Sequence, residues 1–163
     1  MALQPLRLAI TNLYYYIQEI MQTNGFITSE YTITIGYPNE DELTKINTWP
    51  TIVVEAETMF GIDFELGSRQ SKVIHFFIDV LAKSNGQKED IAYFLWNSLN
   101  ETYIPYYDFN TGYPTAVGDY SGITRSGSMY IDNLTANQVV PENTVVLGEK
   151  HHIIIDGFLT LAN

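Results

Sequence analysis

The sequence predicts an α+β fold: a mostly antiparallel sheet with two helices packed on one face. Three observations point there. Two stretches, "PLRLAITNLYYYIQEIMQ" and "QKEDIAYFLWNSLNE", repeat apolar residues at helical spacing. Most other apolar segments alternate with period two and are rich in β-branched and aromatic residues. Their order is helix, strands, helix, strands, without the regular βα alternation of a parallel sheet. The 163 residues read as one domain, 1–163, with no internal repeat and no linker. A chain of that size buries roughly 70% of its unfolded surface.

The elements follow in order. Leu6, Ile10, Leu13, Ile17 and Met21 form one helix face, Pro5 fits its first turn, and Asn24-Gly25 ends it. Tyr14, Tyr15 and Tyr16 go partway round this helix, so at least one leaves the core face. "EYTITIGYP" is a short strand, and "NEDELTKINTWP" a polar loop. Trp49-Pro50 opens "TIVVEAET", in which Val53, Glu55 and Glu57 share one face. "IDFELG" repeats the pattern with Asp63 and Glu65 outward, and Met59-Phe60-Gly61 is short enough to join the two as a hairpin. "SKVIHFFIDVLAKS" fits both periods; its β-branched and aromatic content selects strand. Ser84-Asn85-Gly86 then breaks the chain. In the second helix Ser84 or Asn85 is the cap, Glu89 and Asp90 sit in the first turn, and Ile91, Ala92, Leu95, Trp96 and Leu99 form the buried stripe. Residues 103–127 form a long Tyr/Gly-rich excursion, a length of loop that is usually functional or mobile. "SMYIDNLTAN", "TVVLGE" and "HHIIIDGFLTLA" return to strands, with a turn at Pro141-Glu142-Asn143.

Composition narrows the function. Net charge is −11 with eight basic residues, so no basic footprint for nucleic-acid phosphates is present. The absence of Cys excludes disulfides, thiolate metal sites and Cys nucleophiles. No apolar run approaches the roughly 20 residues of a membrane-spanning helix, and the N-terminus lacks the pattern of a secretory signal. This reads as a protein that stays in the cytoplasm until used. Twelve Tyr with only 17% charged residues suggest a surface partly covered by partners, against the plainer reading of a well-packed β-rich monomer.

The sequence carries none of the familiar catalytic motifs. There is no phosphate-binding loop, no G-x-G-x-x-G after a strand and no G-x-S-x-G turn. His152 and Asp156 share a strand face, but no third metal ligand is placed. No cofactor and no metal site is expected. Glu55, Glu57, Asp63 and Glu65 form an acidic ladder with three open readings: a solvated or salt-bridged face, with Arg69 and Lys72 nearby in sequence; a wall made negative by design; or a catalytic pair with one raised pKa.

The stretch "FELGSRQSKVIHFFIDVLAKSNGQKEDIAYFLWNSL", a strand–break–strand–helix unit after an N-terminal helix and strands, resembles the tail terminator (tail completion) proteins of long-tailed bacteriophages. The likeness covers residues 1–101 by layout and the last strands more loosely; residues 103–127 depart from it. The resemblance implies a structural virion protein, not an enzyme. It implies a ring, usually six-fold, that caps the head-proximal end of the tail tube, stops tube polymerisation and joins tail to neck. The implied partners are other copies of the chain, the tail tube protein and neck or connector proteins, at the tail–neck junction of the virion. DNA passes through the lumen without specific binding, and no membrane is involved. Another neck ring, such as a head-closure or connector protein, or a non-viral β-rich binding module, is the alternative. In this reading Glu40, Asp41, Glu42, Glu55, Glu57, Asp63 and Glu65 are candidate lumen residues. Tyr106, Tyr107, Phe109, Tyr113 and Tyr120 are candidates for the ring or tube interface.

Overall fold

The computed structural model describes residues 5–36, 42, 45–46, 48–63, 70–139 and 151–162, with the backbone alone at 60, 62, 63, 70, 71 and 162. Helix α1 (Pro5–Thr23) leads through a short 3-10 turn to β1 (Thr32–Ile35), β2 (Thr51–Asp63) and β3 (Gln70–Ala82). Helix α2 (Asn85–Leu99) follows, then β4 (Thr102–Asp108), β5 (Thr124–Val139) and β6 (His151–Ala162). The strands form one sheet in the order β1-β2-β3-β6-β5-β4. Among the described residues only β1 and β2 are parallel; every other pairing is antiparallel. The architecture is α+β, as the pattern of periods predicts.

Both helices pack on one face. Ile10, Leu13, Ile17 and Met21 from α1, and Ile91, Ala92, Leu95 and Leu99 from α2, share a core with Ile52, Val54, Ile74, Phe76, Ile78 and Val80. Those strand residues share one parity across the β2–β3 register. Helix α2 lies over β3, β5 and β6. Helix α1 touches β1 and β2 at one margin of the sheet and β4 at the other. Its 19 residues make roughly 28 Å of helix at about 1.5 Å each. Five inter-strand spacings of about 4.8 Å come to roughly 24 Å, so one helix reaches across the sheet.

The helix ends follow local chemistry. Gly25 takes φ 87°, and the Phe26 and Gly25 amides donate to the Met21 and Gln22 carbonyls, closing α1. Ser84 caps α2, its Oγ accepting from the Gln87 amide at 3.2 Å. Because α2 begins at Asn85, Glu89 and Asp90 lie beyond the first turn, which holds no acid. The expectation for these two residues is corrected. Glu89 instead accepts from the Asn85 side chain, 2.7 Å. The buried stripe is Lys88, Ile91, Ala92, Leu95 and Leu99, with Trp96 only partly buried. Trp96 donates its indole N–H to the Leu134 carbonyl, 3.0 Å.

Two strand expectations change. Met59-Phe60-Gly61 is not a hairpin turn. Strand β2 runs through it, opposite Ile74, Val73 and Lys72. The three residues include no positive-φ position and carry no Pro, Asn or Asp to turn the chain. The irregularity sits earlier. Ala56 faces Phe76 and Thr58 faces His75, so Glu57 is an extra residue, a β-bulge. It inverts the alternation that follows. Glu55 shares register parity with Thr58, whereas Gly61 and Asp63 take the parity of Ile52 and Val54. Asp63 therefore does not continue the row begun by Glu55, and the single-faced acidic ladder is corrected.

Residues 103–127 are also more ordered than a loop. Strand β4 uses 102–108, and β5 begins at Thr124. Between them, Asp108 accepts from the Asn110 amide, 3.0 Å, and Asp119 from the Ser121 amide, 3.1 Å. These are Asx turns. The expected strand "TVVLGE" and its preceding turn lie outside the described residues, as does most of the loop 37–47.

Candidate interaction surfaces

The tyrosine-rich segment folds back on α1. Phe109 is buried, 5.1 Å from the Tyr15 ring and stacked on Tyr113 at 5.7 Å. Tyr107 and Tyr120 stack at 4.2 Å with planes 1° apart. The Tyr120 hydroxyl donates to Glu19 Oε2, 3.3 Å. Burial pushes the Tyr120 phenol well above the usual range, and the Glu19 carboxylate adds to the effect by disfavouring a phenolate beside it. Tyr106 packs partly against the core, and burial raises its pKa as well. Of the five aromatic residues expected at an interface, Tyr113 is the most open, at 51%. Tyr103 and Tyr93 are more exposed still, at 67% and 70%, and sequence pattern did not single them out.

This packing explains why Leu8 through Leu13 are all buried although a helix usually hides one stripe. The sheet covers one side, and the 107–120 segment touches another. Asn12 makes the join. Its side chain donates to the Tyr107 carbonyl at 2.9 Å and accepts from the Tyr107 amide at 2.8 Å. In an antiparallel strand, one residue's N–H and C=O point to the same side. The Tyr107 groups therefore point away from β5, and Asn12 pairs them as a neighbouring strand would. Two residues back along this margin, Pro105 has no N–H to leave open.

The acidic candidates separate. Glu57 is exposed at the bulge, and its Oε2 lies 2.6 Å from His75 Nδ1. Glu55 is partly buried on the helix-free parity, opposite Phe77. Glu42 is exposed. Glu40, Asp41 and Glu65 lie outside the described residues, and for Asp63 only the register is described.

The sheet face away from the helices carries an aromatic cluster. The His75 ring lies 4.7 Å from Phe77 and stacks on Phe158 at 4.9 Å. All three are half-buried. Farther along the same face, His152 Nε2 meets Asp79 Oδ1 at 2.5 Å, with both side chains about nine-tenths buried. Asp156 accepts from Thr135 Oγ1 rather than sharing a partner with His152. Among the described residues no group of three His, Asp or Glu converges as a metal site, and no helix is long and apolar enough to cross a membrane.

A cleft of about 370 Å³ opens between the 3-10 turn, the start of β2 and α2. Phe26, Tyr31, Pro50 and Ile91 supply apolar wall, and Glu30, Asp90 and Gln87 supply polar groups.

Asn12, the His152–Asp79 pair and the His75–Glu57 pair are the contacts that sequence reasoning missed. Asn12 had one local signal, an amide placed inside an apolar helix where its propensity is poor. Compared with models of known families and with curated proteins, the sequence matches none.

Proposed function

We propose that the chain is a ring-forming structural protein of a phage tail. In this reading about six copies cap the head-proximal end of the tail tube, stop its growth and join it to the neck. The observation that carries the proposal is the division of the sheet. Both helices fill one face, while the other presents the half-buried His75, Phe77 and Phe158 cluster beside Glu57. A closed ring needs two different sticky surfaces per copy. An aromatic patch of this kind is suited to one, since aromatic residues are enriched at protein interfaces. The net charge of −11 supports a lumen that DNA passes without sticking, and of the candidate lumen residues Glu42 and Glu57 are exposed. The layout of helix, strands, helix and strands agrees with the resemblance drawn from the sequence.

The cleft beside Phe26 and Ile91 favours a second reading, a binding module that holds a ligand without assembling. Cryo-electron microscopy of the particle that contains this chain separates the two. The ring reading expects a closed ring on the last layer of the tube. Density elsewhere in the neck would keep a ring but change its role. A monomer with an occupied cleft would overturn the ring.

A further inference from the structure

We propose that the distal edge of β2 is a docking site for an extended, basic segment of a partner protein, which adds to the sheet as a strand. Strand β1 covers β2 only from Thr51 to Val54. Among the described residues, no strand lies beside β2 from Glu57 onward except β3 on its inner side.

The direction of the backbone groups follows from the ladder. The Val54 carbonyl accepts from the Gly36 amide on the β1 side, so Val53 and Glu55 turn their groups to β3. Their partners Asp79 and Phe77 turn toward β2 in return. With period two along β3, His75 and Val73 also turn toward β2, and opposite them stand Thr58 and Phe60. Met59 and Gly61 are left with N–H and C=O groups directed outward. Met59 is 42% exposed and Gly61 is exposed, as an open margin requires.

Unpaired strand edges are templates for another strand. Natural edges are blunted by Pro, by charged side chains, especially Lys, and by bulges; Thr51–Asp63 contains no Lys or Pro, and its bulge at Glu57 precedes the outward groups of Met59 and Gly61. The strand carries Glu55, Glu57 and Asp63 and no Arg, so the complementary strand is basic. Those same acids, on a chain of net charge −11, oppose pairing of this edge with the same edge of a second copy. The inference does not depend on the ring reading, and either can fail alone.

The probe is a synthetic ten-residue peptide alternating Lys with Val and Thr, titrated into the full chain labelled with 15N. The expected result is peptide-dependent shifts and slowed exchange at the Met59 and Gly61 amides, weakened by salt. Met59→Pro removes an outward N–H without touching the β3 ladder, and should weaken the peptide at least about tenfold, the scale of one or two lost hydrogen bonds. Thermal melting of that variant, with an unchanged His75 environment, establishes that it folds. Equal binding by Met59→Pro, or shifts confined to the cleft near Phe26, would overturn the proposal. Concentration-dependent self-association without peptide, abolished by Met59→Pro, would overturn it in favour of a second copy.

Discussion

At the β4 margin of the sheet, Asn12 satisfies both backbone groups of Tyr107, and Pro105 leaves no amide to pair. At the β2 margin, beyond Val54, Met59 and Gly61 turn their backbone groups outward and are exposed. Among the described residues, one edge of the sheet is thus closed at Tyr107 and the other is open beyond Val54. The closed edge uses a helix 95 residues away in sequence. The open edge begins where the four-residue β1 stops short of the 13-residue β2. The contrast teaches that edge protection here is local and selective. An edge kept closed by a buried amide beside one left without Lys or Pro is an arrangement suited to directional assembly.

Proline replacement gives the largest test of that contrast. Thr58→Pro removes a donor aimed at β3 and should cost about 3 kcal/mol or more. Met59→Pro, one residue along, removes an outward donor and should stay within about 1 kcal/mol. Urea denaturation of the two variants reads the difference, and equal losses would mean that the outward direction of Met59 is wrong.

At the closed margin, Asn12→Ala leaves the Tyr107 amide and carbonyl without their partner. A loss of about 2–3 kcal/mol is expected, because unsatisfied buried groups cost more than a hydrogen bond contributes. Light scattering should also show association through the uncovered β4 edge. Stability unchanged within about 0.5 kcal/mol would mean that water replaces the side chain freely.

Behind that margin, Tyr120→Phe deletes the hydroxyl bonded to Glu19 and should cost about 1 kcal/mol at neutral pH. The pH dependence carries a definite sign. The folded phenol is held above its ordinary value of 10.0, so the unfolded chain loses its proton first. The stability from this group is complete below about pH 10 and is lost as pH rises from there through the folded value. Tyr120→Phe should remove this part of the alkaline decline; a decline of the same size in both proteins would assign it to other groups.

The smallest effect belongs to the open margin. Glu57→Gln replaces an exposed partner of His75 and should change stability by no more than about 0.5 kcal/mol, while weakening a basic strand docked on β2. A large loss on chemical denaturation would make the pair part of the fold rather than of the surface.

The helices and most strands were legible because their periods are local. Leu6 through Met21 states a helix outright. The β-branched and aromatic run from Val73 to Val80 decides for β3 where periodicity alone could not. The bulge at Glu57 was not legible, since it expresses how β2 fits β3 rather than any residue's preference. The order in 109–123 was half legible: Asp108 and Asp119 are turn formers, but α1, which Phe109 and Tyr120 meet, lies far away in sequence. Interface candidates suffered most. Tyr-rich composition says that rings meet something, and here Tyr107, Phe109 and Tyr120 meet one another and α1. The Asn12 join and the His152–Asp79 pair span 95 and 73 residues, which no local pattern encodes.

Amide hydrogen exchange of the free chain, followed residue by residue by NMR, tests the closed-and-open-edge account most directly. The account predicts a protected Tyr107 amide and fast exchange at Met59 and Gly61, with their neighbours Thr58 and Phe60 slow. Protection at Met59 and Gly61 in the free chain, or fast exchange at Tyr107, would contradict it.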